Sequence, residues 1–226
     1  VGPDEGTLRT KTTLTSCSRS KDMIIQGFEL EVSGPGGPVL SATTVFGFFP
    51  AEALAEQVGL GSTRSALHGS AHALHDGGAP PLPGPMLRMI DRIVADDPAG
   101  GRAGLGRVNA EKTVDPGEWF FKAHFFQDPV QPGSLGIEAM IQALQLFMLE
   151  ARMDEGIAQP RFESLGTGMD LVWKYRGQVL PHHRTVHTTI EITASGKDER
   201  GAWATCDASL WADGQRIYEA TNLGMR

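Results

Sequence analysis

A single stretch of this sequence carries most of the information about its fold, and it reads Ala123-His124-Phe125-Phe126-Gln127-Asp128-Pro129-Val130-Gln131-Pro132-Gly133-Ser134-Leu135-Gly136-Ile137-Glu138-Ala139-Met140. A histidine precedes a segment with two prolines, and a long apolar segment then begins at a glycine. Proline fixes its own φ angle and is tolerated before a helix and in its first turn, but not in its interior. We therefore predict a rigid turn over residues 127–133, followed by a helix over residues 134–153 with Ser134 as its N-cap.

The predicted helix is apolar on nearly every side, which is typical of a helix buried within a protein. In its body the polar side chains before Glu150 are those of Glu138, Gln142 and Gln145, whose spacing places them on one stripe. A carboxylate on a buried helix is costly unless it is paired or protonated. Glu138 is therefore either a structural residue bonded to Gln142 or an acid with a chemical role.

Two further residues of the quoted stretch are candidates for chemistry. His124 is either a core histidine with satisfied hydrogen bonds or a proton base. Gly133 either completes an ordinary Pro-Gly turn or opens a helix whose free N–H groups can bind an oxygen that gains negative charge. Asp128 and Pro132 would support the site by fixing the turn between these two residues.

The rest of the C-terminal part indicates an α+β domain in which antiparallel strands accompany the long helix. Ala212-Asp213-Gly214 is a strong hairpin signal between the last two strands. The predicted strands cover residues 90–94, 104–109, 118–125 (an aromatic strand that ends near His124), 171–176, 185–193, 202–211 and 215–223.

Glycine and proline are dense over residues 58–85, which predicts a linker, with room for a short helix over residues 65–75. The segments on either side resemble each other. Lys11-Thr12-Thr13-Leu14 and His187-Thr188-Thr189-Ile190 are separated by a constant offset of 176, and these few identities suggest an internal repeat. We expect residues 1–57 to be the C-terminal part of a first unit and residues 86–226 to be a complete second unit. The first unit's own central helix would then precede residue 1.

Composition excludes several classes of function. The net charge of −7 provides no general attraction to nucleic acid or to an anionic membrane, and no apolar run is long enough to span a bilayer. The two cysteines, Cys17 and Cys206, favour free thiols and a cytoplasmic location over a disulfide framework. His68, His72 and His75 have helical spacing, but no nearby cysteine or carboxylate pattern supports a metal site, so no metal is expected.

At the quoted residues the chain resembles the β-hydroxyacyl-acyl carrier protein dehydratases of the β-hydroxydecanoyl type. It is most similar to the dehydratase domains of polyunsaturated fatty acid synthases and related polyketide synthases. The similarity covers residues 86–226, and residues 1–57 look like the tail of the preceding half of a tandem dehydratase. The matching motifs are His124-Phe125, Asp128-Pro129-Val130, Pro132-Gly133, Leu135-Gly136-Ile137-Glu138-Ala139-Met140 with Gln142, Trp173-Lys174-Tyr175-Arg176-Gly177-Gln178-Val179-Leu180-Pro181 and Ile217-Tyr218-Glu219-Ala220.

The resemblance implies a hot-dog fold, in which an antiparallel sheet wraps one long helix and two such units pair. It also implies the dehydration of a 3-hydroxyacyl-acyl carrier protein to the trans-2-enoyl product. His124 would abstract the α-proton, the Gly133 amide would bind the thioester oxygen, Glu138 would protonate the departing hydroxyl, and Gln142 would orient Glu138. In paired units the histidine of one works with the acid of the other.

The same resemblance implies the partners. The substrate would arrive on the phosphopantetheine of an acyl carrier protein, with no cofactor bound directly. The other domains of a parent synthase and a homodimer or pseudo-dimer of hot-dog units complete the expected partners. Two alternatives stay open: a hot-dog acyl thioesterase that uses Glu138 as its base, and a catalytically incomplete acyl-binding or structural module.

Overall fold

The computed structural model describes residues 6–61, 70–73, 83–163 and 170–226, with the backbone alone described for 70–73. The chain divides between Gln57 and Val58 into two compact units. Among the helices in these ranges, none is long and apolar enough to cross a membrane.

The N-terminal unit is a three-stranded antiparallel meander followed by one short helix. Its elements are β1 (Arg9–Ser20), β2 (Met23–Gly34), β3 (Gly37–Phe48) and α1 (Ala51–Ala55). Lys21, with a φ of 51°, lies in the tight turn between β1 and β2. In the middle strand, β2, most residues are at least partly buried, whereas every residue of β1 is exposed.

The C-terminal unit contains one long helix and a seven-stranded sheet with the order β4-β5-β6-β8-β9-β10-β7, whose neighbouring strands are antiparallel. Its elements are β4 (Ser70–Ala73), a 3-10 turn (Pro85–Leu87), β5 (Arg92–Asp97), β6 (Arg107–Thr113), α2 (Trp119–Ala123), α3 (Gly133–Glu150), β7 (Val172–Tyr175), β8 (Thr185–Asp198), β9 (Gly201–Ala212) and β10 (Gln215–Met225).

The core of this unit lies between α3 and the sheet. Helix α3 contacts β6, β8, β9 and β10, and Met140, Ala143 and Leu144 on the helix have no solvent exposure. Successive side chains of a strand point to opposite faces, and Ile190 and Ile192 of β8 accordingly lie on the face that belongs to the core. An antiparallel sheet packed around one long helix is the hot-dog fold, so the predicted fold class is confirmed.

The internal repeat is visible in the strand pairing. Leu14 pairs with Phe28 immediately before a bulge in the β1–β2 pairing, and Ile192 pairs with Cys206 immediately before a bulge in the β8–β9 pairing. Leu14 and Ile192 are 178 positions apart in the sequence, and so are Phe28 and Cys206. The offset of 176 that the sequence identities suggested is therefore two residues short.

A second bulge repeats with the same offset. The β2–β3 pairing leaves out Val39, and the β9–β10 pairing leaves out Ile217, which lies 178 positions later. A strand has a side-chain period of two, so an error of two residues keeps every side chain on its correct face. The alternating apolar pattern therefore fits an offset of 176 residues as well as it fits an offset of 178 residues.

Two expectations for strands and helices outside α3 were wrong. The aromatic run predicted as a strand contains α2, in which the adjacent residues Phe120 and Phe121 are both buried. In a strand exposed on one face, neighbouring side chains would point in opposite directions, whereas one helical turn lets both enter the core. Within the predicted linker, residues 70–73 form β4 and pair with β5, so they are not part of a helix over 65–75. The remaining residues of that predicted helix lie outside the described ranges.

Packing of Tyr218 against α3 leads to a stability prediction. A Cβ at Gly136 would lie 2.1 Å from Cε2 of the Tyr218 ring, which is fully buried and cannot move aside cheaply. We expect Gly136→Ala to lower the free energy of unfolding by about 1–3 kcal/mol, although alanine favours helices. Urea denaturation measures this. Gly84→Ala is the control, because none of the residues that the structure describes lies within 4 Å of its Cβ position. Equal stability of the two variants would contradict the prediction.

The β9–β10 turn gives a prediction about pH. The Asp213 carboxylate accepts the backbone N–H groups of Arg184 and Thr185, each at 2.9 Å. Burial alone would raise the pKa of Asp213, but these hydrogen bonds outweigh it and the pKa is lowered. The stabilisation is therefore present above the unfolded value of about 3.9 and is lost as pH falls through the lower folded value.

We expect Asp213→Ala to cost about 1 kcal/mol of stability at pH 7, since the carboxylate is largely exposed, and much less at pH 2. Thermal unfolding at both pH values measures the difference. Asp213→Asn is the matched control, because asparagine keeps an acceptor oxygen and tolerates the φ of 46° at this position. A loss in Asp213→Ala that does not change with pH would be inconsistent with this role of the carboxylate.

Candidate functional site

His124 is held by the loop that joins α2 to α3. It is the C-cap of α2, and its backbone carbonyl accepts the N–H of Val130 at 2.9 Å. The backbone groups of Phe125 and Asp128 also bond to each other, at 2.9 and 3.3 Å. The loop is thus folded back on itself, and the position of the histidine follows from backbone hydrogen bonds.

The same loop selects the tautomer of His124. Its Nδ1 lies 3.0 Å from the carbonyl oxygen of Val130. A carbonyl can only accept a hydrogen bond, so Nδ1 carries the proton and Nε2 keeps its lone pair. The imidazole is half-buried, and its ring lies 3.8 Å from that of Phe125, centroid to centroid. In a neutral imidazole Nε2 can accept a proton, and no hydrogen bond to a described residue occupies it.

Gly133 is the first residue of α3, with Pro132 as N-cap, so the helix begins one residue earlier than predicted. Ser134 is therefore inside the helix and not its N-cap. The Pro132 carbonyl accepts the N–H of Leu135 at 3.0 Å, which starts the helical turn before the serine. The amide of the first helical residue has no partner within its own helix, and it points out of the positive end of the helix dipole.

Aromatic rings cover the start of α3. A Cβ at Gly133 would lie 2.9 Å from both Trp173 and Tyr175, and a Cβ at Gly136 would collide with Tyr218. We call the rings of Trp173, Tyr175 and Tyr218 the aromatic wall; their centroids are 4.7–5.8 Å apart. Only glycine allows this wall to approach the helix backbone so closely.

Glu138 lies one turn further along α3 and is held by Gln142. The Gln142 Nε2 donates to Glu138 Oε1 at 2.8 Å and to the Leu87 carbonyl at 2.7 Å, while its Oε1 accepts the N–H of Met89 at 2.8 Å. Two acceptors on one side and a donor on the other fix the orientation of the amide. Gln142 is fully buried and Glu138 is half-buried.

The predicted site residues occupy one continuous segment but face different partners. In the described part of the chain, no hydrogen bond or ion pair joins His124 to Glu138; the first bonds to Val130 and the second to Gln142. Asp128 is exposed and supports the loop through its backbone.

Sequence reasoning assigned no role to the partners of the site residues. Leu87 and Met89 bind Gln142 through backbone atoms, which no side-chain pattern reveals. The sequence could have indicated a role for Trp173 and Tyr175, because they are alternate residues of a predicted strand and such residues share one face of the sheet.

Of the histidines considered as metal ligands, His68 and His75 lie outside the described residues and His72 is described by its backbone in β4 only. Among the residues that the structure does describe, no group of three His, Cys, Asp or Glu side chains could hold a metal ion.

Comparison with known proteins identifies relatives. One polyunsaturated fatty acid synthase polypeptide from Thraustochytrium sp. is 28% identical over 250 aligned residues, which cover 97% of this chain and 16% of the relative. The chain therefore spans about a sixth of that relative's length. A crystallised variant of the GphF dehydratase superposes with a TM-score of 0.52 at 15% identity, covering 97% of this chain and 75% of the other. That likeness is one of fold.

The model of the FabA-like domain matches residues 82–221. The match includes the His124 loop, α3, Gln142 and the aromatic wall, and it covers more than half of the chain. The chain therefore belongs to the FabA-like domain family.

Proposed function

We propose that this chain is a hydro-lyase that dehydrates a 3-hydroxyacyl thioester to the trans-2-enoyl thioester within a multidomain fatty acid, polyunsaturated fatty acid or polyketide synthase. Membership of the FabA-like family and the similarity to a polyunsaturated fatty acid synthase support this proposal. The observation that carries it is the His124 imidazole, whose Nδ1–H is bonded to Val130 and whose Nε2 is left as a base.

In the proposed reaction, His124 Nε2 removes the proton from C2 of the substrate. The negative charge that develops on the thioester oxygen is stabilised by the Gly133 amide at the positive end of α3. The bond between C3 and the hydroxyl oxygen then breaks, a double bond forms between C2 and C3, and the carboxylic acid of Glu138 protonates the departing hydroxyl to give water. The elimination is redox-neutral, since the electron pair of the C2–H bond forms the C2–C3 double bond as the C3–O bond breaks, so the proposed reaction uses no redox cofactor.

Glu138 takes the acid's role because it is the carboxyl group on α3 that Gln142 orients. Asp128 and Pro132 keep a supporting role, since they belong to the loop and the N-cap that lead from His124 to Gly133. His124 and Glu138 do not bond to each other in the described chain, so we propose that the acid acting with His124 comes from a paired hot-dog unit, as the Glu138 of a second copy in a homodimer or as the corresponding acid of a pseudo-dimer. Glu138 of this chain then acts with the histidine of that paired unit.

The substrate is proposed to arrive on the phosphopantetheine of an acyl carrier protein, with other domains of the synthase as neighbours. The relative that belongs to a synthase supports this arrangement. Incubation with a 3-hydroxyacyl-pantetheine thioester distinguishes the candidates. An enoyl thioester supports dehydration, a free acid shows a thioesterase, and unchanged substrate shows a binding or structural module.

We expect His124→Ala to lower the rate of dehydration about 10²–10⁴-fold, because a general base contributes a factor of that size. Formation of the enoyl thioester, followed by its absorbance, measures the loss, and circular dichroism checks that the fold is retained. His182→Ala, which removes an exposed histidine from another loop, serves as the control. Full activity in His124→Ala would rule out this mechanism.

Gln142→Leu tests the support of Glu138. The change removes this partner from the buried Met89 N–H and from the Leu87 carbonyl, so we expect a loss of about 1–2 kcal/mol in the free energy of unfolding together with reduced dehydration. Urea denaturation and the enoyl assay measure the two effects. Gln145→Leu, one turn away and half-buried, is the matched control. Identical behaviour of the two variants would show that the Gln142 hydrogen bonds contribute nothing.

A further inference from the structure

The chain has two tyrosines, and both belong to the aromatic wall. Tyr175 ends β7, and Tyr218 pairs with it from the neighbouring strand β10. Their ring centroids are 4.7 Å apart and the ring planes are tilted by 32°. Tyr175 packs against Gly133 and Tyr218 against Gly136, so both phenols lie at the first turn of α3.

The Tyr218 hydroxyl is unusual because it is buried without a normal hydrogen bond. The residue is 0% exposed, and within the described chain its oxygen has no partner of hydrogen-bonding geometry. Burying an unpaired hydroxyl is costly, so a partner is expected in the working protein. The Tyr175 ring lies beside that of Tyr218, 4.7 Å away between centroids, so the Tyr175 hydroxyl is a neighbouring group that can become this partner.

Both phenols stay protonated near neutral pH. Burial raises the pKa of Tyr175, and burial together with the neighbouring Tyr175 raises the pKa of Tyr218 well above its usual value. Each hydroxyl can therefore donate one hydrogen bond and accept another. Tyr175 is only half-buried, so a ligand at the start of α3 can reach it, whereas Tyr218 is enclosed behind it.

We propose that Tyr175 donates a hydrogen bond to the thioester oxygen beside the Gly133 amide, and that Tyr218 is a positioning residue that donates to Tyr175. This inference rests on the proposed dehydration, which places the thioester oxygen at Gly133. When substrate binds, the Tyr218 O–H bonds to the Tyr175 oxygen and the Tyr175 O–H bonds to the substrate. These two hydrogen bonds give the buried Tyr218 hydroxyl a partner. Both bonds become stronger as negative charge develops on the thioester oxygen.

Kinetics separate this role from a structural one. Tyr175→Phe keeps the ring and removes the donor, so we expect kcat to fall about 10²-fold while KM changes much less. Tyr218→Phe is expected to lower kcat about fivefold. At the same time its stability should be unchanged or higher, because an unpaired hydroxyl leaves the core of the free protein. Full kcat in Tyr175→Phe would overturn the inference.

Thr189→Val is a matched control for the loss of a buried hydroxyl. Thr189 lies on β8 and donates to Asn109 at 2.8 Å, so its removal is expected to lower stability and leave kcat unchanged. This is the opposite of the result expected for Tyr218→Phe. A loss of stability with normal kcat in Tyr218→Phe would show that its hydroxyl is merely structural.

A second measurement does not depend on turnover. Protein that contains 3-fluorotyrosine gives one fluorine NMR signal for each of its two tyrosines, and the two Tyr→Phe variants assign them. We expect a 3-hydroxyacyl-pantetheine amide, which resembles the thioester, to shift both signals. The same shifts are expected in His124→Ala, which binds but does not react.

The two proposals fail in different ways. Signals that do not move at saturating amide would overturn the role of the tyrosines, even if the unaltered protein dehydrates its substrate. Shifted signals without any enoyl product would instead remove the proposed function and leave an acyl-binding site lined by the two tyrosines.

Discussion

The enclosure of α3 is the constraint on which the C-terminal unit depends. A helix with apolar side chains on nearly every side is not stable in water, and Met140, Ala143 and Leu144 have no exposure because four strands cover them. The N-terminal unit has three paired strands but no long helix among its described residues. Strand β1 has the same register and bulge as β8, but all of its residues are exposed; it pairs on one side only, and no long helix packs on it among the described residues of that unit. In the C-terminal unit the buried core lies where α3 packs on the strands.

An enclosed helix restricts where polar groups can be placed. Gln142 is buried in α3 and its amide uses three hydrogen bonds, two of them to the backbone at Leu87 and Met89 and the third to Glu138. The bonds that compensate for burying this amide also attach the segment before β5 to the helix. The orientation of Glu138 thus follows from the requirement that a buried amide be satisfied.

Sequence predicted the parts that depend on local pattern. The apolar run from residue 135 to 149 predicted α3, and Asp213-Gly214 predicted the last hairpin, where both residues adopt a positive φ. It failed where tertiary packing decides. Phe120 and Phe121 favour a strand by composition but are both needed in the core, which a helical turn permits. For the site, residue types and spacing indicated His124, Gly133 and Glu138. The backbone partners at Val130, Leu87 and Met89 could not be predicted, because any residue supplies the same carbonyl or amide.

These backbone partners have a consequence for how the site works. His124 is oriented by the Val130 carbonyl, Glu138 through Gln142 by the chain at Leu87 and Met89, and the Gly133 amide by the start of the helix itself. The groups proposed for chemistry are thus preorganised by main-chain atoms, and little reorganisation is needed when charge develops. A site of this kind depends on loop geometry more than on the identity of neighbouring side chains. The exceptions are Gly133 and Gly136, where any side chain would displace the aromatic wall and with it the surface against which the thioester is proposed to bind.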